Sequence, residues 1–283
     1  MSAADVLTFL MPYEPSPFVW LVCGMALGLF LVGLRRLRRR GRGPSPLAVL
    51  AFVLGLLLIY VVLQTRYDYY AQHLFSLHRL QHLVLHHVAP FLIAWAAPQA
   101  VFAAAVPNSP IRRFAAVPGV GPLYRGIQQP VVAGALFVVL IWLWLVPRLH
   151  LYAMLNLPLY NLMNWGMAVD GLLFWWMMFN MGDPRSAPGA YFGLRLLVLA
   201  LIMAPQILIG SSIALSRQDL YDVYALCGRV LPIDAMTDQQ IGGLLTWIPA
   251  AMMSVAGALV LARRWLELPD AVAPDALVPG PRP

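Results

Sequence analysis

The chain has 283 residues, of which 61% are hydrophobic and only 11% charged. A soluble domain of this size carries about 25% charged residues, so too few polar side chains are present to cover a water-facing surface, and lipid is the solvent this composition fits. The net charge of +7 comes from basic residues that are all arginine, and their placement beside an apolar run argues for membrane orientation and against nucleic acid as a partner.

Seven segments reach roughly the 17–25 apolar residues a membrane span needs. In chain order they are Phe18–Leu34, Pro46–Leu63, His73–Ala97, Val131–Val146, Leu159–Met181, Tyr191–Leu215 and Ile241–Ala262. The first is followed by Arg35, Arg36, Arg38, Arg39, Arg40 and Arg42, a stop-transfer pattern, and reads as a retained span rather than a cleaved leader. Pro90, Pro205 and Pro249 fall inside three segments, where proline is expected to kink a helix. The fold class is therefore all-α: a polytopic bundle of about seven spans occupying residues 1–265. Residues 266–283, rich in Pro and Ala, form a tail expected to be disordered and cytoplasmic.

Arginine placement orients the bundle. With the N-terminus outside, Arg35–Arg42, Arg112, Arg113, Arg125 and Arg185 fall in inner loops, and Arg263, Arg264 and Arg282 in the inner tail. The outer connections hold Arg66, Arg148, Arg217 and Arg229. This asymmetry places the C-terminus in the cytoplasm. Polar residues then gather toward the outer ends: His73, His78, Arg79 and His82 in the third segment, His150, Tyr152 and Asn156 after the fourth, Asn161 and Asn164 opening the fifth, and Asp238, Gln239 and Gln240 before the seventh. Polar groups at membrane depth face a bundle interior or cavity.

The third segment carries the densest chemistry. His78, His82 and His86 recur every four residues and share one helix face, with His87 adjacent as a packing or supporting residue. Imidazoles one turn apart can hold a metal ion, and imidazole suits copper, zinc, iron and nickel. A hydrogen-bonded structural cluster and a proton path are the other readings of the same stripe. His73 points elsewhere on an ideal helix. The run Asp238-Gln239-Gln240-Ile241-Gly242-Gly243 reads either as a helix cap with close glycine packing or as a carboxylate that orients a ligating histidine. Asp170, deep in the fifth segment, needs a partner or a proton. Met163 and Met167 are spaced i, i+4, as are Met177 and Met181, and core packing is the plain reading of each pair. Cys23 and Cys227 form no CxxC, so neither a disulfide framework nor a zinc finger is indicated, although Cys227 is a soft candidate ligand. No nucleophile elbow, Walker loop, HExxH or dinucleotide fingerprint is present, and no enzymatic activity is expected.

The run Leu77-His78-Arg79-Leu80-Gln81-His82, continuing to Pro90 and Ala97-Pro98, resembles the first signature of the CtaG-like polytopic family of cytochrome c oxidase assembly factors. Gly171-Leu172-Leu173-Phe174-Trp175-Trp176 is similar to the family's central signature, and Asp238–Pro249 to its last, in the expected order. The resemblance covers about residues 45 to 265. It implies an inner-membrane protein of bacteria that helps mature a haem-copper oxidase by supporting copper supply, with an oxidase subunit as partner, a periplasmic copper chaperone as donor, and a homodimer as an open possibility. On that reading His78 and His82 hold copper, His86 is a third ligand, and Asp238 or Gln239 steadies an imidazole. The chain departs from the family pattern where Leu145, Tyr160 and Asn164 stand in place of histidines, and His86 and His87 are additional. A metal-free scaffold for oxidase assembly and a haem-binding membrane protein are the alternatives.

Overall fold

The computed structural model describes residues 9–107, 119–179 and 188–266, with the side chains of 188–191 excepted. Met181, Arg112, Arg113, Arg185 and the predicted tail from 267 onward lie outside the described residues. Those described form helices and no strand, apart from an isolated bridge between Pro12 and Thr65.

The helices are α1 (Pro17–Arg39), α2 (Pro46–Gln64), α3 (Arg66–His73), α4 (Phe75–Leu83), α5 (Ala89–Trp95), α6 (Gln99–Ala105), α7 (Val120–Ile127), α8 (Pro130–Leu145), α9 (Pro147–Leu155), α10 (Leu157–Phe179), α11 (Pro188–Ala214), α12 (Val223–Cys227) and α13 (Ala235–Leu266). A π-helical turn, Val84–Val88, joins α4 to α5. Local chemistry sets several starts. Ser16 and Ser45 accept from Val19 and Ala48 backbone N–H, each just before a proline at the first helical position, where its missing N–H costs nothing. Gln129 and Pro130 do the same for α8.

By length and apolarity α1, α2, α11 and α13 can each cross a bilayer, and two bent pairs raise the number to six among the described residues. The pairs are Phe75–Trp95 with Gln99–Ala105, bent by 72°, and Val120–Ile127 with Pro130–Leu145, bent by 74°. The helix α10 has 23 residues but carries Asn161, Asn164 and Asp170, which lower its apolarity; it is the further segment in the seven-span reading. The three prolines behave differently. The helices α11 and α13 continue through Pro205 and Pro249. Pro90 instead follows the π turn: lacking an N–H, it leaves the His86 carbonyl, four residues back, without its helical donor, and such a gap is where helices take up an extra residue. The third predicted segment also breaks at Leu74, whose φ of −142° is extended, leaving His73 on the separate helix α3.

The two ends of the bundle differ. At one end, Arg36 donates to the Ala104 and Ala105 carbonyls, both at 3.0 Å, and Arg264 to those of Phe179 at 2.6 Å and Trp95 at 2.7 Å. These are the last carbonyls of α6, α10 and α5, and cations there complement the negative helix ends. At the other end, buried Gln64 ties down the N-terminal segment, donating to the Glu14 carbonyl and accepting from Ser16 N–H. Between them, glycines bring backbones together. A Cβ at Gly171 would collide with the His86 carbonyl, and one at Gly243 would stand 2.5 Å from the Ala214 nitrogen, so α10 fits the π turn and α13 fits α11 only without side chains there.

Candidate functional site

The polar centre is built on α4, whose His78, Arg79, Gln81 and His82 are all buried. The His78 ring lies 4.4 Å from that of His82 and 5.2 Å from that of His150. Neither His78 nitrogen has a hydrogen-bond partner; the Ala71 carbonyl is near but outside hydrogen-bond geometry. The neighbouring rings are fully engaged. Arg79 Nη1 lies 3.1 Å from His82 Nδ1, and since guanidinium only donates, Nδ1 is the acceptor. The His82 proton is then on Nε2, which donates to Asn164 Oδ1 at 3.1 Å. Arg79 Nε donates to Thr246 Oγ1 at 3.0 Å. By the same logic His150 Nδ1 donates to the Trp144 carbonyl at 3.0 Å, and its Nε2 accepts from the Tyr224 hydroxyl at 2.8 Å. Burial pulls the His150 pKa down to about 3, so this ring in the short helix α9 stays neutral.

The centre is framed from distant parts of the chain. The helix α4 has no side-chain cap of its own. Asp238, in the first turn of α13, supplies one: its two oxygens accept from Phe75 and Ser76 N–H, each at 2.9 Å. The same carboxylate pairs with Arg229. Gln239 accepts from Leu220 N–H at 2.7 Å and donates to the Ile213 and Gln218 carbonyls. Asp238 therefore holds backbone and a guanidinium, Gln239 holds backbone alone, and neither bonds to an imidazole. A second frame was missed by the sequence. Asp68, on α3, accepts from Gln72 and Gln81 amides and from the Tyr160 hydroxyl; burial raises its pKa against these bonds, which lower it. An acid in a short polar connector gives little signal, and Tyr160 on α10 was the hint.

The three departures from the family pattern surround this centre. Asn164 holds His82. Tyr160 holds Asp68, with its ring 5.9 Å from that of His78. Leu145 is buried, and its carbonyl accepts from the Tyr221 hydroxyl at 2.9 Å. Of the other polar residues expected near this level, Tyr152, Asn156, Asn161 and Gln240 are exposed, and His73 donates through Nδ1 to the Tyr69 carbonyl at 2.7 Å.

The π turn carries both His86 and His87 and takes His86 out of the stripe. His86 Nε2 meets Asp170 Oδ2 at 2.9 Å, and its ring stacks on Phe137 at 3.9 Å. Asp170 thus has its partner. His87 lies 5.0 Å from His86, ring to ring, with both nitrogens unpartnered. Cys227 is exposed and Cys23 buried in α1. Met163 and Met167 are core residues, as is Met177.

Copper is the group the family resemblance implies. Among the described residues no three His, Cys, Asp or Glu side chains could hold one metal ion. The lone pair of His82 is given to Arg79, so a cation there would face a guanidinium at close range, where like charges repel strongly. Arranged this way, the residues do not fit a three-ligand copper site. For haem, His150 is the sole histidine outside residues 73–87, and with both of its nitrogens bonded it offers no axial ligand opposite that segment.

The family model described as cytochrome c oxidase caa3 assembly factor matches residues 28–267. The chain belongs to this family. No curated protein and no solved structure matches it.

Proposed function

We propose that this member of the caa3 oxidase assembly family acts as a metal-free membrane scaffold, docking an oxidase subunit while that enzyme is put together. The arginine end of the bundle lies in the cytoplasm and the histidine centre toward the outer face of a bacterial inner membrane, with seven spans in all. No reaction is catalysed on this reading. The observation that carries it is the engagement of His82: one nitrogen accepts from Arg79 and the other donates to Asn164, which leaves His78 without a second free imidazole to share a metal. The residues that replace family histidines, Tyr160 and Asn164, are poor copper ligands and serve the hydrogen-bond frame.

Copper delivery is the rival reading. It is favoured by His78, whose two unpartnered nitrogens lie beside the His82 ring. Copper content separates the two. The protein is purified after copper loading under reducing conditions, alongside His78→Ala and His82→Ala, and an oxidase subunit is sought among co-purifying proteins from copper-starved cells. The scaffold reading expects copper far below one per chain in all three forms and co-purification without copper. Near-stoichiometric copper that disappears in the two variants overturns it and restores delivery. A haem absorbance band in the purified protein would overturn both.

A further inference from the structure

Arg79 is 3% exposed, within a membrane span. A guanidinium stays protonated inside a protein, and a buried charge without a counter-charge is far more costly than a paired one. No carboxylate among the described residues bonds to it. Asp238 is taken by Arg229 and two backbone N–H groups, Asp68 by Gln72, Gln81 and Tyr160, and Asp170 by His86. Of the five N–H groups of arginine, one goes to Thr246 and one to His82. The remaining three have no acceptor among the described residues.

Beside this charge lies a small cavity. Its polar walls are Arg79, His82, His87 and Thr246, and its apolar walls include Ile141 and Met167. The His87 side chain is buried, 3% exposed, and neither ring nitrogen has a partner; an imidazole always carries at least one N–H, so His87 is a second donor without an acceptor. Thr246 gives its own proton to the Gly242 carbonyl at 2.8 Å. The cavity measures about 10 Å³, room for one particle of water size. Carboxylate, phosphate and sulfate are too large. Water would satisfy the N–H groups but leave the charge.

The geometry points to a small monovalent anion, chloride in the cell, held between Arg79 and His87. The anion offsets the guanidinium charge and accepts the donors that the protein leaves open. This inference does not rest on the metal-free reading, since a copper ion at His78 would add positive charge and strengthen the need for a counter-ion. Measured copper content therefore leaves it standing or falling on its own test.

The test uses the full chain in detergent, melted in chloride, bromide, gluconate and sulfate at equal ionic strength. Chloride and bromide are expected to raise Tm by a few degrees in a saturable way, as a ligand of the folded state does, while gluconate and sulfate do not. Arg79→Gln is expected to remove the halide dependence. Crystals grown in bromide are expected to show an anomalous peak between Arg79 and His87. Identical melting in all four anions overturns the proposal, as does a folded Arg79→Gln protein with its halide dependence intact. If Arg79→Gln does not fold, the bromide peak decides alone, and ordered water in its place overturns the site.

Discussion

Two histidine pairs lie on one span, and their surroundings divide them. His78 and His82 stand one α-turn apart, their rings 4.4 Å from each other, in a frame of side chains from α9, α10, α12 and α13. His86 and His87 sit on the π turn, where one ring stacks on Phe137 and pairs with Asp170 and the other faces a small cavity. In the first pair His82 bonds to Asn164 and to Arg79 while His78 makes no hydrogen bond of its own; the second pair has one carboxylate and aromatic packing. Residue type and spacing alone put His78, His82 and His86 on one stripe, with His87 beside it. What separates them is a single helical turn of different pitch, set where Pro90 withholds a donor and Gly171 lets α10 press against the His86 carbonyl.

Substitutions can break this contrast from either side. The largest effect is expected in the frame around His78 and His82. Asp238→Ala removes the cap of α4 and leaves Arg229 only its longer pairing with Asp219 at 3.9 Å, a loss of about 3 kcal/mol; thermal melting should show it, and Asp238→Asn should retain part. Next is Gly171→Ala, where a Cβ meets backbone rather than a movable side chain, at a cost of about 3 kcal/mol; a near-normal melting temperature would mean the π turn yields easily. Third is the acid response of His150. Its folded pKa of about 3 lies below the unfolded value of 6.5, so the unfolded chain binds the extra proton as pH falls through 6.5, and stability is lost from there downward toward 3. Between pH 7 and 5 this ring contributes a loss of roughly 2 kcal/mol, which His150→Gln should remove from the slope of Tm against pH. The smallest is Asp170→Asn, about 1 kcal/mol, expected to leave the imidazole NMR signals of His78 and His82 in place; if those signals move, the two pairs are coupled and the contrast fails.

Much of the helical layout was legible, because long apolar runs and Ser-Pro starts act locally. Within the described residues the seven predicted segments are mostly helical, with the third broken at Leu74. The break at Leu74 and the π turn were not legible. Pro90 was visible, but whether a proline kinks a helix, is absorbed as at Pro205 and Pro249, or borders a π turn depends on what packs there. The site was half visible. His78 and His82 stood out by spacing, and Asn164, Tyr160 and Leu145 as departures from a family pattern. The roles of the departures were hidden, since each acts on a group far away in sequence: Tyr160 on Asp68, Asn164 on His82, the Leu145 carbonyl on Tyr221. Asp238 had two readings, and the cap was correct for a different helix from its own.

That cap also bears on how the chain is made. The N–H groups of Phe75 and Ser76 are 163 and 162 residues ahead of the carboxylate that satisfies them, and Trp95 is 169 ahead of Arg264. Ribosomes deliver the chain in order, so the third hydrophobic segment enters the bilayer well before the last one is synthesised. Until α13 arrives, the start of α4 lacks its acceptor and Arg79 lacks Thr246. The nascent protein therefore passes through a stage with an open polar centre, and a chain cut short before residue 238 would remain in it, marked for whatever surveys unfinished membrane proteins.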